Sequence, residues 1–260
     1  MLLHVLGKSQ AWLMAHSDEM LPGNLTKSYT ELLERRYRGE PIQYITGETE
    51  FYGLPFCVTP EVLIPRPETE HIVEKAIELA GRFAGPRIVD VGTGSGCIAV
   101  ALAHKLPHAA ITAIDLSATA LAVAEQNAKR NGADLRFLEG DLLTPVAQEQ
   151  FDIVVSNPPY VPTTDRDTLA VEVRDHEPAI ALFAGDDGLD LYHRLIPQAF
   201  ACIVPGGFLA LEIGYGQSPA IAELLSASGF QQIEFIPDLQ SIPRVACAQR
   251  PGNKLPTPML

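Results

Sequence analysis

From residue 87 onward, short apolar runs alternate with longer stretches in which apolar residues recur at helical spacing. "RIVDV" (87–91), "AITAID" (110–115), "LRFLEGD" (135–141), "FDIVVSN" (151–157) and "GFLALEIG" (207–214) have strand length and β-forming content. Helical patterns lie between or after them over 96–106, 117–130, about 187–202 and 217–228. "QQIEFIPD" and "RVACAQR" close the series. Strand–helix alternation of this kind predicts a mostly parallel sheet covered by helices on both faces. Only "LQSIP" separates the last two strands. That is too short for a parallel crossover, so the final strand is predicted to run antiparallel.

Upstream the pattern differs. Leu2, Leu3, Val5 and Leu6, then Trp12, Leu13 and Met14, form apolar clusters broken near Pro22-Gly23. Tyr29, Leu32, Leu33 and Arg36 recur at helical spacing until Gly39 and Pro41 stop them. Residues 1–48 therefore read as a small helical module. "TEFYGLPFCVTPEVLI" (49–64) reads as a hairpin turning around Gly53 and Pro55, within a linker over 49–66. "PRPETEHIVEKAIELAG" has Pro67 near a first helical position, Glu68 and Glu70 in the first turn, and Gly81 past the end. The sheet domain is predicted over 67–250, and a Pro-rich, flexible tail over 251–260.

Composition narrows the function classes. Hydrophobic residues make up 47% of 260, enough for a sizeable core. With 32 acidic and 19 basic side chains, the net charge of −13 disfavours general nucleic-acid binding. Cys57, Cys97, Cys202 and Cys247 show no C-x-x-C spacing and no partnering His, so neither structural zinc nor a disulfide framework is expected, and no metal site. The N-terminus lacks a basic region before a long apolar run, and no stretch of about 18 apolar residues occurs. A cytoplasmic protein without membrane partners is expected.

"RIVDVGTGSGCIAVALA" sets Gly92, Gly94 and Gly96 between a strand and a helix. Glycine admits positive φ and lets a ligand approach the backbone, and the helix start offers free N–H groups to an anion. A glycine loop alone is equally a tight turn. Joined to Asp115, an acid at the end of the next strand that can bind ribose hydroxyls, it predicts a nucleoside ligand. The third glycine comes one place earlier than in the dinucleotide fingerprint, which disfavours hydride transfer. Asp141, ending "EGD", is placed either to accept from an adenine amino group or to serve a turn.

A further strand ends abruptly in "VVSNPPYVP" (154–162). Proline has no N–H for a sheet ladder, so a rigid polar turn follows a buried strand. In isolation Asn157, Pro158, Pro159 and Tyr160 make only a turn. At the C-terminal end of a sheet strand beside a glycine loop, they are expected to meet ligand. Asn157 offers a side-chain carbonyl oxygen and Pro158 a restrained backbone carbonyl. Two fixed acceptors of this kind suit a planar –NH₂ group, whose delocalised lone pair is a poor nucleophile until its N–H bonds are held. Tyr160 offers a flat face to such a group, and Pro159 stiffens the loop. No His adjoins the turn, and His176, the nearest, reads as structural. If the group held there is alkylated, proton loss after the transfer is the favoured reading and a general base the alternative.

The set "VDVGTGSG", "AID", "EGD" and "SNPPY" resembles S-adenosylmethionine-dependent methyltransferases acting on planar –NH₂ nitrogens. More narrowly, "EPIQYITGETEFYGLPFCVTPEVLIPRPETE" (40–70), "VSNPPYVP" (155–162), "EVRDHEPAIALFAGDDGLDLY" (172–192) and "GGFLALEIGYGQ" (206–217) resemble the peptide chain release factor N5-glutamine methyltransferases, the PrmC/HemK family. The resemblance implies an α/β, Rossmann-like class I methyltransferase sheet after a helical substrate-recognition domain and a hairpin linker. It implies S-adenosyl-L-methionine held by Gly92, Thr93, Gly94, Ser95, Gly96, Asp115, Asp141, Leu142 and Asn157. It implies a substrate glutamine held by Asn157, Pro158, Pro159 and Tyr160, with Asn157, Pro158 and Tyr160 catalytic. Arg66, Glu68 and Glu212 either organise the pocket or make a helix start and ion pairs. The implied partners are class 1 release factors, methylated at the Gly-Gly-Gln glutamine, without direct nucleic-acid contact. Glutamine methylation of a ribosomal protein, amino methylation of nucleic acid and cofactor binding without catalysis are the competing readings. Two departures from the family pattern stand out. Against the family pattern the helical module is expected either to lack about two helices or to begin at an alternative start, and "DLQSIPRVACAQR" replaces a Gly-Arg-Asp-Arg-like turn. The loop "TTDRDTLAVEVRDHEP" (163–178) is long for a compact domain and is expected to cover the substrate.

Overall fold

The computed structural model describes residues 1–252, so the tail anticipated over 251–260 lies mostly outside the described residues. Its centre is a seven-stranded sheet built from β3 (Arg87–Val91), β4 (Ala110–Asp115), β5 (Arg136–Glu139), β6 (Phe151–Ser156), β7 (Ile203–Glu212), β8 (Gln231–Pro237) and β9 (Pro243–Gln249). The order is β5-β4-β3-β6-β7-β9-β8. β9 slots between β7 and β8 and runs antiparallel to both, as the short "LQSIP" connection requires.

Strand residues alternate between two cores, which is the two-residue period of a pleated strand covered on both sides. Ile88, Ile153 and Val155 join one cluster, with α5 (Glu70–Ala80) and α6 (Cys97–Lys105). Val89, Val91, Val154 and Leu209 join the other, with α9 (Asp190–Cys202) and α10 (Ser218–Ala227). α7 (Ala118–Arg130) follows β4 and is capped by the Ser117 hydroxyl, which accepts from Ala120 N–H at 3.2 Å.

Register brings the strand ends level. Val91 pairs with Ile114 on one side and with Ser156 on the other, and Ser156 pairs with Leu211. Gly92, Asp115, Asn157 and Glu212 therefore emerge at one rim. The chain leaves β3 toward β4 and β5 and returns to β6 on the opposite side, so this rim lies at the sheet's switch point, where α/β folds bind ligands.

Several boundaries differ from the sequence reading for local reasons. β7 begins at Ile203, because a bulge against β6 absorbs Pro205 and Gly206 within the strand. α9 begins at Asp190, since Gly185 and Gly188 sit at φ +79° and +76° and cannot be helical. The hairpin β1 (Glu48–Phe51) and β2 (Leu54–Cys57) turns at Tyr52-Gly53, both with positive φ, which suits the strand twist. Pro55 lies inside β2, tolerated because a two-stranded ribbon has only edges. Phe51 and Phe56 carry the hairpin into the core, ring to ring at 6.1 Å.

Ahead of the hairpin come α1 (Leu2–Leu6), α2 (Gln10–Ala15), α3 (Gly23–Tyr37) and α4 (Ile42–Thr46). α1 to α3 contain no fully buried residue. The long segment after β6 folds into 3₁₀ turns at Thr163–Thr168 and Ala179–Ala181 around α8 (Val171–His176). α8 meets the end of α3: Arg36 pairs with Glu172, and Gly39 leaves room for Val171. No helix among the described residues is long and apolar enough to cross a membrane.

Candidate active site

The glycine loop starts where β3 ends. Gly92 and Thr93 both donate to the Ile114 carbonyl, at 2.8 and 3.0 Å, which ties the loop to β4. A Cβ at Gly92 or Gly94 would meet nothing within 4 Å, whereas one at Gly96 would lie 3.0 Å from the Ala124 Cβ. The first two glycines thus leave open space above the loop, and the third lets α6 approach α7. Thr93 and Ser95 are buried. Under the loop, Thr93 donates to Asp90 Oδ2 at 2.7 Å, while Oδ1 is buried with no hydrogen-bond partner among the described residues. Burial pushes the Asp90 carboxyl up to about 7, against the pull of Thr93.

A cavity of about 320 Å³ opens over this loop, within the range of small-ligand sites. Gly92, Thr93, Gly94, Ser95, Asp115, Asp141, Leu142, Asn157, Pro158 and Pro159 line it, so ten sequence-predicted positions share one space. Gly96 stands apart, at the helix packing contact. Asp115 is fixed by two backbone donors, Gly94 N–H at 2.8 Å and Ser117 N–H at 2.9 Å. Asp141 pairs with Arg194 of α9. Leu142 holds φ +53°, a left-handed conformation costing about 1–2 kcal/mol in an L-residue. Such strain recurs at ligand sites.

A second cavity of about 160 Å³ lies behind the β6 turn, lined by Leu63, Arg66, Asn157, Pro158, Tyr160, Val161, Val173, Ala181 and Leu182. Asn157, Pro158 and Arg66 border both spaces; Tyr160 borders only this one, and Pro159 only the first. Asn157 Nδ2 donates to Thr69 Oγ1 at 3.2 Å. Its carbonyl end is therefore the end left for a ligand. Tyr160 donates its phenol to Glu212 Oε1 at 3.1 Å. Burial, with Glu212 adjacent, raises the Tyr160 pKa, so the phenol keeps its proton. Among the described residues, no histidine lines either cavity.

Glu212 is buried, and its Oε2 has no hydrogen-bond partner among the described residues. Burial raises its pKa, opposed by Thr69, Tyr160 and Arg244. Glu177 is buried against Arg66, and its pKa too is raised by burial despite that partner. Arg66 thus has the ion pair anticipated for it and also lines the pocket, while Glu68 lines neither cavity. His176 sits beside Gly39, at the helical module.

Sequence reasoning did not find Thr69 or Gln217. The Gln217 side chain accepts from Gly214 N–H at 2.8 Å and donates to the Tyr160 carbonyl at 3.0 Å. It reaches the Gly188 carbonyl at 3.3 Å as well, stapling the turn to the loop before α9. Gln217 lies in the quoted "GYGQ", but only tertiary structure brings it to Tyr160. Arg194, Ile180 and Phe183 line the larger cavity with no signal in local spacing.

Comparisons with known proteins identify relatives of this chain. Residues 1–47 match the family model PrmC N-terminal domain, and residues 73–174 match Methyltransferase small domain. A release factor glutamine methyltransferase of Koribacter versatilis is 42% identical over 97% of this chain and 90% of its own length. One of Geobacter sulfurreducens is 44% identical over 92% and 84%. Among solved structures, a methyltransferase from Pyrococcus furiosus superposes with TM-score 0.57 at 19% identity, covering 85% of this chain and 99% of that one. The hMettl16 catalytic domain, solved with a MAT2A 3′UTR hairpin, gives 0.63 at 17% identity and 78% of each chain. At such identity the likeness is one of fold.

Proposed function

The chain belongs to the release factor glutamine methyltransferase family, and from that premise we propose that it methylates the side-chain amide N5 of the Gly-Gly-Gln glutamine in class 1 peptide chain release factors, using S-adenosyl-L-methionine. The residues present fit that cofactor. Gly92 and Gly94 leave a cradle that any Cβ would fill, and Asp115 holds a carboxylate at its edge. Asp141 and Leu142 sit on the same wall for the base. Bound there, the cofactor supplies an electrophilic methyl group on a sulfonium centre.

The observation that carries the reading is the wall shared by the two cavities. An amide nitrogen must be held with both N–H bonds accepted before its lone pair is useful. Asn157 and Pro158 line both cavities, and in this reading Asn157 Oδ1 and the Pro158 carbonyl are the two acceptors. Fixed acceptors favour the nitrogen most as it gains positive charge, which stabilises the transition state over the ground state. Orientation of this kind can supply roughly 7–11 kcal/mol. Tyr160 packs against the planar amide as a neutral phenol. No base is needed, because the alkylated amide is a strong acid that releases its proton to water.

In the same reading, residues 1–48 recognise the protein substrate, 49–66 link, and 67–250 form the catalytic domain, acting in the cytoplasm. A net charge of −13 supports a protein over a nucleic-acid substrate. The test is transfer from labelled S-adenosyl-L-methionine to a purified class 1 release factor, a ribosomal protein and DNA in parallel. Label on the release factor alone, abolished by Asn157→Ala, supports the proposal. Label on another substrate, or cofactor binding with no transfer, overturns it.

A further inference from the structure

The two ends of an asparagine amide have the same shape but opposite chemistry, one an acceptor and the other a donor. At Asn157 a half-turn would present –NH₂ to the substrate and repel the N–H groups it must receive. One neighbour decides this choice. Thr69 is 2% exposed, and its Oγ1 accepts from Asn157 Nδ2 at 3.2 Å. A hydroxyl both donates and accepts, so Thr69 discriminates only if its own proton is committed elsewhere.

Glu212 commits it. This carboxylate is also 2% exposed, with Oε1 taken by Tyr160 and Oε2 without a hydrogen-bond partner. The Thr69 hydroxyl favours its charged form. A buried carboxylate oxygen lacking a partner draws a neighbouring hydroxyl proton, and a Thr69 proton drawn that way leaves its oxygen to accept from Asn157. We propose that Thr69, held by Glu212, is a positioning residue that turns the Asn157 carbonyl toward the substrate nitrogen. Glu212 then organises both edges of the platform, Asn157 through Thr69 and Tyr160 directly. The inference rests on the reading of Asn157 as acceptor for the glutamine amide.

The test uses Thr69→Val, which keeps the shape and removes the hydroxyl, and Thr69→Ser, which restores it. Thr69→Val is expected to lower kcat about tenfold, with KM for the release factor and cofactor affinity within about threefold of wild type. Thr69→Ser is expected to recover most of the rate. Full activity of Thr69→Val, failure of Thr69→Ser to recover, or a loss that falls on KM or cofactor affinity and not on kcat would overturn the inference. A nuclear Overhauser cross-peak between an Asn157 side-chain amide proton and Thr69 is expected in the wild-type protein. If the wild type transfers no methyl group to release factor, the substrate reading fails, and that cross-peak decides this one. Its absence contradicts the orientation.

Discussion

Replacing Asp90 by Asn converts a buried acid beneath the glycine loop into a neutral side chain of the same shape. Burial lifts this carboxyl from 3.8 to about 7. Between those values the native chain holds a proton that the unfolded chain has released. The unfolded state then binds fewer protons, so Asp90 makes stability fall as pH rises through this window. Each unit is worth about 1.4 kcal/mol, giving roughly 2 kcal/mol lost by pH 5 and about 4 kcal/mol by pH 8. Asp90→Asn removes that loss. Its amide nitrogen, however, takes the place of Oδ1, which has no hydrogen-bond partner, at a cost of about 1–3 kcal/mol. The two effects nearly cancel at pH 5, and the variant is about 1–3 kcal/mol more stable at pH 8. Urea unfolding of both proteins without cofactor at pH 5, 6, 7 and 8 measures this. Parallel curves for wild type and variant across that range would refute the reasoning, because they would place the Asp90 titration outside the window.

Further perturbations separate fold from site. Gly92→Ala is expected to retain the fold at a strain cost of about 1–2 kcal/mol and to lose cofactor affinity in calorimetry, because the new methyl enters the cradle. Gly96→Val is expected to lower the melting temperature instead, since its side chain meets Ala124 between α6 and α7. Gln217→Ala frees the Tyr160 and Gly188 carbonyls, and is expected to cost about 1–3 kcal/mol in thermal unfolding and to slow methyl transfer. Asp115→Ala is expected to weaken cofactor binding at least about tenfold, the loss of one charge-assisted hydrogen bond, read by calorimetry.

The sheet was legible because both its strands and its helices announce themselves. β3 and β4 match their apolar runs residue for residue, and the short link before β9 dictated its direction. Edges were harder to read wherever glycine decided them. Gly185 and Gly188 delay α9, and the bulge at Pro205-Gly206 extends β7 back to Ile203. Within the site, residues at strand ends were readable, since topology alone delivers Gly92, Asp115 and Asn157 to one rim. Thr69 and Gln217 were not. Each acts across the fold, on Asn157 and Tyr160, through hydrogen bonds between residues far apart in sequence. Equal treatment of the three loop glycines also hid a division of labour, two open to ligand and one closing a helix contact.

The central claim is that the wall formed by Asn157 and Pro158 presents a glutamine amide nitrogen for methylation. Fragmentation mass spectrometry of release factor incubated with this protein and S-adenosyl-L-methionine tests it most directly. The account predicts a single added methyl group on the side chain of the Gly-Gly-Gln glutamine, absent with Asn157→Ala. A methyl group on any other residue, or undiminished modification by Asn157→Ala, would contradict it.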